Sequence, residues 1–270
     1  MPLLTTHWPR RLRAALAASG QVLLLAAQIL VLAGLPSSYR RGPQRTAVLL
    51  HLYHASAPLL TGAIIAALAS LVVIRIVVAT ATSYGLSQYA LEVLVRTLVL
   101  ELIPLYAALF VALRYALPGA QHVHRLLAQP DHPSATQPPQ TLLRTQLLPR
   151  ALAAMFSLLL LAAISCAMAL LLTYLTVYGL SPWGLPAYTR SVGSIFTPAV
   201  TLIFSLKTLL FALAVAVVPL AAAARHKPPH DPAHGPAHNP PHTPSDITAL
   251  AQLFAVLLLI ELLSLLGNYL

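Results

Sequence analysis

Long apolar runs separated by short polar segments dominate the pattern of hydrophobic and polar positions along this chain. An α-helix needs about 20 predominantly apolar residues to cross a bilayer. Six runs reach that length: residues 14–35, 58–82, 90–113, 151–178, 196–223 and 248–267. The pattern therefore predicts an all-α integral membrane protein in which most of these runs are transmembrane helices.

The composition excludes an ordinary soluble protein. Apolar residues make up 58% of the chain, charged residues only 8%, and the mean hydropathy is +0.79, whereas soluble domains contain about 25% charged residues. The formal net charge of +10 would suit nucleic acid, but the basic residues are scattered among short loops and form no stripe with aromatic residues. Nucleic acid is therefore not expected as a partner.

The basic residues predict how the chain is oriented in the membrane. Cytoplasmic loops of membrane proteins are enriched in lysine and arginine. The loops on the opposite side carry little beyond Arg190. Nine basic residues fall on one side: Arg40, Arg41, Arg45, Arg114, Arg125, Arg144, Arg150, Arg225 and Lys227. This bias predicts a cytoplasmic N-terminus, five crossings from residue 58 onward, and a C-terminus on the other side.

The first apolar run, residues 14–35, has basic clusters on both sides, so a simple crossing would leave one of them outside. A helix lying in the membrane interface satisfies both clusters. A sixth crossing and a cleaved signal peptide are the alternatives. The chain then divides into an N-terminal interfacial (elbow) region, residues 1–46, and a five-span domain, residues 47–270, with cytoplasmic loops at 115–150 and 224–247.

Three ionisable residues lie deep inside the predicted spans: Glu101, Lys207 and Glu261. A charge near the bilayer centre costs about 3 kcal/mol or more unless it is paired, hydrated or neutralised. Because such residues are usually functional, they predict a polar site inside the membrane. The alternative is structural, with Lys207 paired to Glu101 or Glu261 so that helices are held together.

Residues 226–245 form a repeat in which a histidine recurs every four residues and every unit contains proline. Proline excludes a continuous helix, which predicts an extended, polyproline-like tract. Imidazole suits zinc, copper and nickel, so weak metal binding is one interpretation, and a low-complexity linker is the other. The histidines are His226, His230, His234, His238 and His242.

The chain contains no familiar enzyme motif, since HExxH, GxSxG, CxxC and P-loop patterns are all missing from its sequence. An intramembrane enzyme would have only the deep acidic residues in its favour. The single cysteine, Cys166, lies in an apolar run, which predicts a packing role. We therefore expect a protein that is not an enzyme and binds no cofactor, with any energy source on another chain.

One segment of the second predicted span resembles a known family. Residues 97–114 contain Glu-Leu-Ile-Pro followed by Ala-Ala-Leu-Phe-Val-Ala-Leu-Arg. This resembles the signature of MlaE/YrbE permeases, in which an Arg-Glu-Leu-Gly-Pro run precedes an apolar stretch and an arginine. The similarity covers roughly residues 47–267. Further similarities are Leu52-Tyr53, Pro149-Arg150, Leu206-Lys207-Thr208 with Phe211, and Glu261.

The resemblance implies the permease subunit of an ABC-type transporter that moves phospholipid between the inner membrane and the outer envelope of diderm bacteria. Such permeases have five spans and an N-terminal interfacial helix, form dimers, and have a periplasmic C-terminus. Their partners are a cytoplasmic ATPase pair, a periplasmic ring of MCE-domain proteins and, often, a small STAS-domain protein. ATP would then bind to the partner ATPase.

The resemblance also implies roles for individual residues. It places Glu101, Lys207 and Glu261 as a charged set near a lipid cavity. It implies cytoplasmic helix ends close to the ATPase for four arginines: Arg114, Arg125, Arg144 and Arg150.

The chain departs from the family pattern in two places. Ile103 replaces the glycine of the signature, and Leu100 replaces its first arginine. The segment after Arg114 keeps almost none of the acidic residues of the family's ATPase-coupling helix. These departures leave open a heterodimer with a less altered permease, or a membrane scaffold that anchors MCE-type partners without coupled transport.

Overall fold

The computed structural model describes residues 20, 24, 26–32, 42–128, 143–225 and 244–269. Within these ranges the chain is almost entirely helical and contains no strand. The prediction of an all-α protein is confirmed.

Seven helices, numbered here from residue 42, build the described fold. They are α1 (Gly42–Ser56), α2 (Leu59–Ser83), α3 (87–128), α4 (143–178), α5 (Leu185–Ile195), α6 (Pro198–Arg225) and α7 (Pro244–Tyr269). A 3₁₀ turn, Pro182–Gly184, lies between α4 and α5. The long helices α3 and α4 are not uniform, since they include the π-helical segments Val95–Leu102, Ala112–Ala116 and Leu143–Leu147.

Five described helical stretches are long and apolar enough to cross a membrane. They are Arg45–Ser83, Tyr89–Leu126, Thr145–Tyr178, Pro198–Ala223 and Thr248–Gly267. The five-span prediction is therefore confirmed for the described part of the chain. The first stretch runs from α1 into α2, so residues before Pro58 extend the first apolar helix beyond its predicted start.

The N-terminal region, residues 1–46, is described only in part. Residues 26–32 are helical, and Ala26 and Ile29 are buried against the end of α3, the start of α4 and the end of α6. This short segment therefore packs on the bundle through apolar contacts. Its location in the membrane interface stays a prediction.

The loop expected at 115–150 is shorter in the structure. Helix α3 continues to Ala128 and α4 begins at Leu143. Ala120 and Val123 are buried because one face of this extension packs against α6. The other face is polar, with exposed residues such as Arg125, so hydropathy alone does not reveal it as a helix. The loop expected at 224–247 falls mostly on residues 226–243, outside the described ranges.

Helix α4 is at the centre of the bundle. It packs against α1, α2, α3 and α6, while α6 also contacts α3 and α7. Small side chains let neighbouring helix backbones approach closely in membrane proteins. The buried face of α4 is rich in them: Ala151, Ala153, Ala154, Ser157, Ala162, Ser165 and Ala169.

A glycine allows α2 to approach α3. A Cβ added to Gly62 would lie 2.7 Å from the Phe110 ring, so no other residue fits without movement. The hydroxyl of Tyr106 donates a 2.8 Å hydrogen bond to the Gly62 carbonyl. The two contacts fix the position of α3 beside α2.

Aromatic side chains gather at one end of the bundle, which we call the aromatic end. The rings of Tyr174, Tyr178 and Tyr188 lie with centroids 5.2 to 6.0 Å apart, and Trp183 nearby in the chain is 91% exposed. Tyr188 donates a 2.8 Å hydrogen bond to the Leu170 carbonyl. Burial, helped by Tyr178, raises the pKa of Tyr188 to about 12. Such aromatic belts are typical of membrane–water interfaces.

Candidate functional site

The three deep ionisable residues meet between α3, α6 and α7, in what we call the ion cluster: Glu101, Lys207 and Glu261. Lys207 is at its centre and is only 2% exposed. Its ammonium donates hydrogen bonds to Glu101 Oε2 and, at 2.9 Å, to Glu261 Oε1. A third bond, of 3.2 Å, goes to the main-chain carbonyl of Leu100. All three donors of the ammonium are therefore used within the protein, and α6 is tied to two other helices.

The Leu100 carbonyl is available to Lys207 because of the local structure of α3. The segment Val95–Leu102 is π-helical, and α-helix resumes with Pro104 in its first turn. In an α-helix, residue 104 would donate its N–H to the carbonyl of residue 100, but proline has no N–H. Lys207 donates to that carbonyl from α6 instead.

Cys166 makes a related contact from α4. Its Sγ lies 3.8 Å from the main-chain carbonyl of Val99. In the π-helical register, residue 104 would donate five residues back, to Val99, and Pro104 cannot. Cys166 thus combines the packing role expected from the sequence with a weak hydrogen bond beside the ion cluster.

The ion cluster has two carboxylates for one ammonium. With all three groups ionised it carries one net negative charge in an apolar region, where uncompensated charge is costly. The carboxyl side chains of Glu101 and Glu261 are 18% and 15% exposed. Oε2 of Glu261 is buried and has no hydrogen-bond partner among the described residues. The cluster therefore retains the capacity to accept a proton or a cationic group.

A cleft of about 170 Å³, including space open to the surroundings, reaches the ion cluster. Val200, Ile203 and Phe204 of α6 form its apolar wall, while Ser264 of α7 and the ion cluster supply polar groups. A molecule with a polar head and an apolar body matches this distribution. The arrangement has no nucleophile and base pair of the kind used in covalent catalysis.

The four arginines expected near an ATPase lie toward one end of the bundle, which we call the basic end, and they differ in exposure. Arg114 and Arg125 of α3 are exposed. Arg144 begins α4, but its side chain lies outside the described residues. Arg150 is only 8% exposed, and its Nη1 donates to two oxygens of Gln146 at 2.9 and 3.1 Å. A partner protein can reach the first two more readily than Arg150.

The histidine repeat, from His226 to His242, lies outside the described residues. Weak metal binding there stays a prediction. Within the described ranges, no group of three or more histidine, cysteine, aspartate or glutamate side chains could hold a metal ion.

Sequence reasoning missed the main-chain part of the ion cluster. The carbonyl of Leu100 is a ligand of the Lys207 ammonium, and its involvement depends on Pro104. A signal was present, because a proline three residues after an acid in an apolar helix removes a backbone donor beside the charge. The burial of Arg150 was also missed, since an arginine at the start of an apolar run is equally compatible with exposure.

Comparison with known proteins supports the family resemblance. Residues 139–229, about a third of the chain, match the family model of Permease MlaE. This match supports membership of the MlaE permease family. The residues that match MlaE include Pro149-Arg150 and Lys207 but not the signature-like residues 97–114. No curated protein matches the chain.

The MlaE match indicates the general function of the chain. Together with five helices able to cross a membrane, it indicates a multi-pass membrane permease of an ABC-type transporter. A permease is a transport subunit rather than an enzyme, and ABC-transporter partners are implied in general terms.

Proposed function

We propose that this chain is the permease subunit of an ABC-type phospholipid transporter linked to MCE proteins, which moves lipid between the inner membrane and the outer envelope. The observation that carries this proposal is the ion cluster beside an otherwise apolar cleft, with Lys207 inside the MlaE match. A phospholipid has the same division between a charged head and apolar chains. The net negative charge of the cluster favours headgroups that contain an amine.

The ion cluster suggests how transport couples to helix movement. It joins α3, α6 and α7 through one ammonium, so displacement of any of these helices changes the distances within it. A ligand shifts a conformational equilibrium only by binding two states with different affinity. Lipid would do so here if its headgroup contacts the ion cluster in one state and loses that contact when partner ATPases close.

The proposed complex supplies what this chain lacks. Two permease copies, as a homodimer or with a related chain, would enclose the lipid, and a cytoplasmic ATPase pair would bind the ATP. Arg114 and Arg125 are exposed at the basic end and suit contact with the ATPase. An MCE-domain ring would receive lipid on the periplasmic side, with a STAS-domain protein as a further partner. The chain would lie in the bacterial inner membrane, with its N-terminus cytoplasmic and its C-terminus periplasmic.

The test is lipid transfer by the complex after it is copurified through a tag on the full chain and reconstituted in vesicles. Glu101→Gln and Glu261→Gln keep hydrogen-bonding capacity and remove one negative charge each. We expect both to slow ATP-dependent transfer of labelled phosphatidylethanolamine several-fold while the complex stays assembled. Glu92→Gln is the matched control, since Glu92 lies in the same helix as Glu101 but forms a half-exposed pair with Arg96.

Two results would contradict the proposal in different ways. Unchanged transfer in both cluster variants would remove the ion cluster from the mechanism but leave the transport function intact. Failure of the wild-type complex to transfer any phospholipid would refute the substrate itself.

A scaffold without coupled transport is the second candidate. It is favoured by the end of α3, Leu117–Ala128, which extends from the basic end and contains no acidic residue to bind an ATPase. Quantifying the ATPase recovered with the tagged chain separates the two candidates. Transport requires an ATPase in fixed stoichiometry, whereas a scaffold that anchors MCE proteins does not.

A further inference from the structure

Arg150 is a buried cation for which the described residues provide no acid. The chain has six acidic residues. Three of them pair elsewhere: Glu92 with Arg96, and Glu101 and Glu261 with Lys207. The side chains of the other three lie outside the described residues: Asp131, Asp231 and Asp246.

The head of Arg150 lies in a cleft at the basic end, between α3, α4 and α6. The cleft measures about 200 Å³, including space open to the surroundings. Apart from Arg150 and Tyr115, its walls are formed by small or apolar residues: Ala116, Gly119, Ala154, Ala216 and Leu220. A Cβ on Gly119 would lie 3.9 Å from Cδ of Arg150, which shows that the arginine stem packs across α3. We call this cleft the Arg150 pocket.

The Arg150 pocket contains more hydrogen-bond donors than the described residues satisfy. The hydroxyl of Tyr115 is buried and has no partner among them. The guanidinium has five N–H donors, and the hydrogen bonds found use Nη1 alone, toward Gln146. Buried polar groups are nearly always paired, so an unpaired one calls for an explanation. One oxyanion placed between Arg150 and Tyr115 would accept from both.

The depth of the Arg150 pocket suits a lipid headgroup. The span that carries Arg150 begins at Thr145, so the arginine lies about 7 Å along the helix from the end of that span. His51 of α1 is within electrostatic range of Arg150 and of His122, which adds imidazole groups to the same neighbourhood. Basic pockets between transmembrane helices near one membrane surface are known to bind anionic headgroups.

We propose that the Arg150 pocket binds a phosphate group, with Arg150 and Tyr115 as its donors, and that in the membrane this phosphate belongs to an anionic phospholipid. The bound lipid stays in place between α3, α4 and α6, at a distance in sequence and structure from the ion cluster. The proposal does not depend on transport activity. Inorganic phosphate shares the same chemistry and is the second possible source of the ligand.

The test measures binding to the full-length chain in nanodiscs by native mass spectrometry. In one arm, phosphatidylglycerol is titrated into phosphatidylcholine nanodiscs; in the other, inorganic phosphate is added to nanodiscs of phosphatidylcholine alone. We expect wild-type protein to retain phosphatidylglycerol. Arg150→Gln should weaken this binding about tenfold or more, since a charge-assisted pair is lost, and Tyr115→Phe should weaken it by a smaller factor.

Arg125→Gln is the matched control, because it removes the same charge from the basic end but from an exposed position. Retention of phosphate in the second arm alone would support the site and assign it to the free ion. Equal losses in Arg125→Gln and Arg150→Gln would overturn the proposal, as would retention by Arg150→Gln at the wild-type level. If Arg150→Gln does not fold, Tyr115→Phe decides the question, and wild-type retention by that variant refutes the proposal.

Discussion

Lys207 donates a hydrogen bond to the carbonyl that Pro104 leaves without its helical donor. The proline belongs to α3 and the lysine to α6, and the Leu100 carbonyl between them accepts the ammonium at 3.2 Å. An interruption in the hydrogen bonding of one helix thus becomes a ligand for a cation on another. Because the same ammonium also binds Glu101 and Glu261, the interruption lies within the ion cluster.

A double-mutant cycle tests this relationship. Lys207→Met removes the donor to Leu100, whereas Pro104→Ala supplies a new N–H within helical reach of the same carbonyl. We expect Lys207→Met to cost about 1 kcal/mol less in the Pro104→Ala background than in the wild type, the net value of one hydrogen bond. The measurement is the free energy of unfolding in mixed micelles with increasing SDS. Strict additivity would mean that the two residues are energetically independent.

The charge balance of the ion cluster gives a second prediction. Lys207→Met alone leaves two enclosed carboxylates without a cation, and breaking a buried ion pair in this way costs about 3–5 kcal/mol. Adding Glu101→Gln and Glu261→Gln to Lys207→Met should recover at least half of that loss, because the uncompensated charge is gone. Thermal melting in detergent compares the single and triple variants.

Arg96→Met serves as the control for this prediction. It breaks the Glu92 pair, whose side chains are about half exposed, and should cost less than about 1 kcal/mol. A triple variant no more stable than Lys207→Met would show that packing, and not charge, dominates the loss.

The contact between α2 and α3 gives a third prediction. Gly62→Ala places a Cβ 2.7 Å from the Phe110 ring, and overpacking of this kind costs about 1–3 kcal/mol. Gly193→Ala is the matched control, since nothing lies within 4 Å of its new Cβ, and alanine favours the helix. Melting temperatures in detergent should fall for the first variant and stay level or rise for the second. A Gly62→Ala protein as stable as the wild type would mean that α2 and α3 separate easily.

The aromatic end gives a prediction about alkaline pH. The pKa of Tyr188 is raised to about 12 in the folded chain, against about 10 for an unfolded tyrosine. Between these values the unfolded chain has lost the proton and the folded chain keeps it, so stability falls as pH rises from about 10 to 12. Tyr188→Phe removes this contribution and should flatten the decline in melting temperature over that range.

The control for the alkaline experiment is Tyr53→Phe, because Tyr53 is 72% exposed. Its melting temperatures should follow the wild type between pH 10 and 12. A Tyr188→Phe protein that declines as steeply as the wild type would show that this hydroxyl does not govern alkaline stability.

Hydropathy predicted the helices well wherever apolar sequence begins and ends abruptly. Helix α2, Leu59–Ser83, lies within one residue of the expected run 58–82. The extension of α3 to Ala128 was not predicted, because half of its surface is polar and only tertiary contacts bury Ala120 and Val123. Apolar length therefore identifies a span but not how far its helix continues beyond the membrane.

The candidate site was predictable in membership and not in geometry. The cost of charge in an apolar span was sufficient to select Glu101, Lys207 and Glu261. Their arrangement around one ammonium depends on the rotation of three helices about their axes, which the residue types do not specify. The carbonyl of Leu100 could not be selected at all, since every residue has one and only local backbone geometry distinguishes it.

The π-helical segment Val95–Leu102 makes the chain length of α3 as important as its composition. Each residue of an α-helix turns the chain by about 100°. Deleting a single residue before Glu101 could restore regular α-helical hydrogen bonds, but it would swing the carboxylate by roughly that angle relative to the preceding part of the helix. Sequence alignments across this span that open a one-residue gap would therefore describe a different site, even where every remaining side chain is identical.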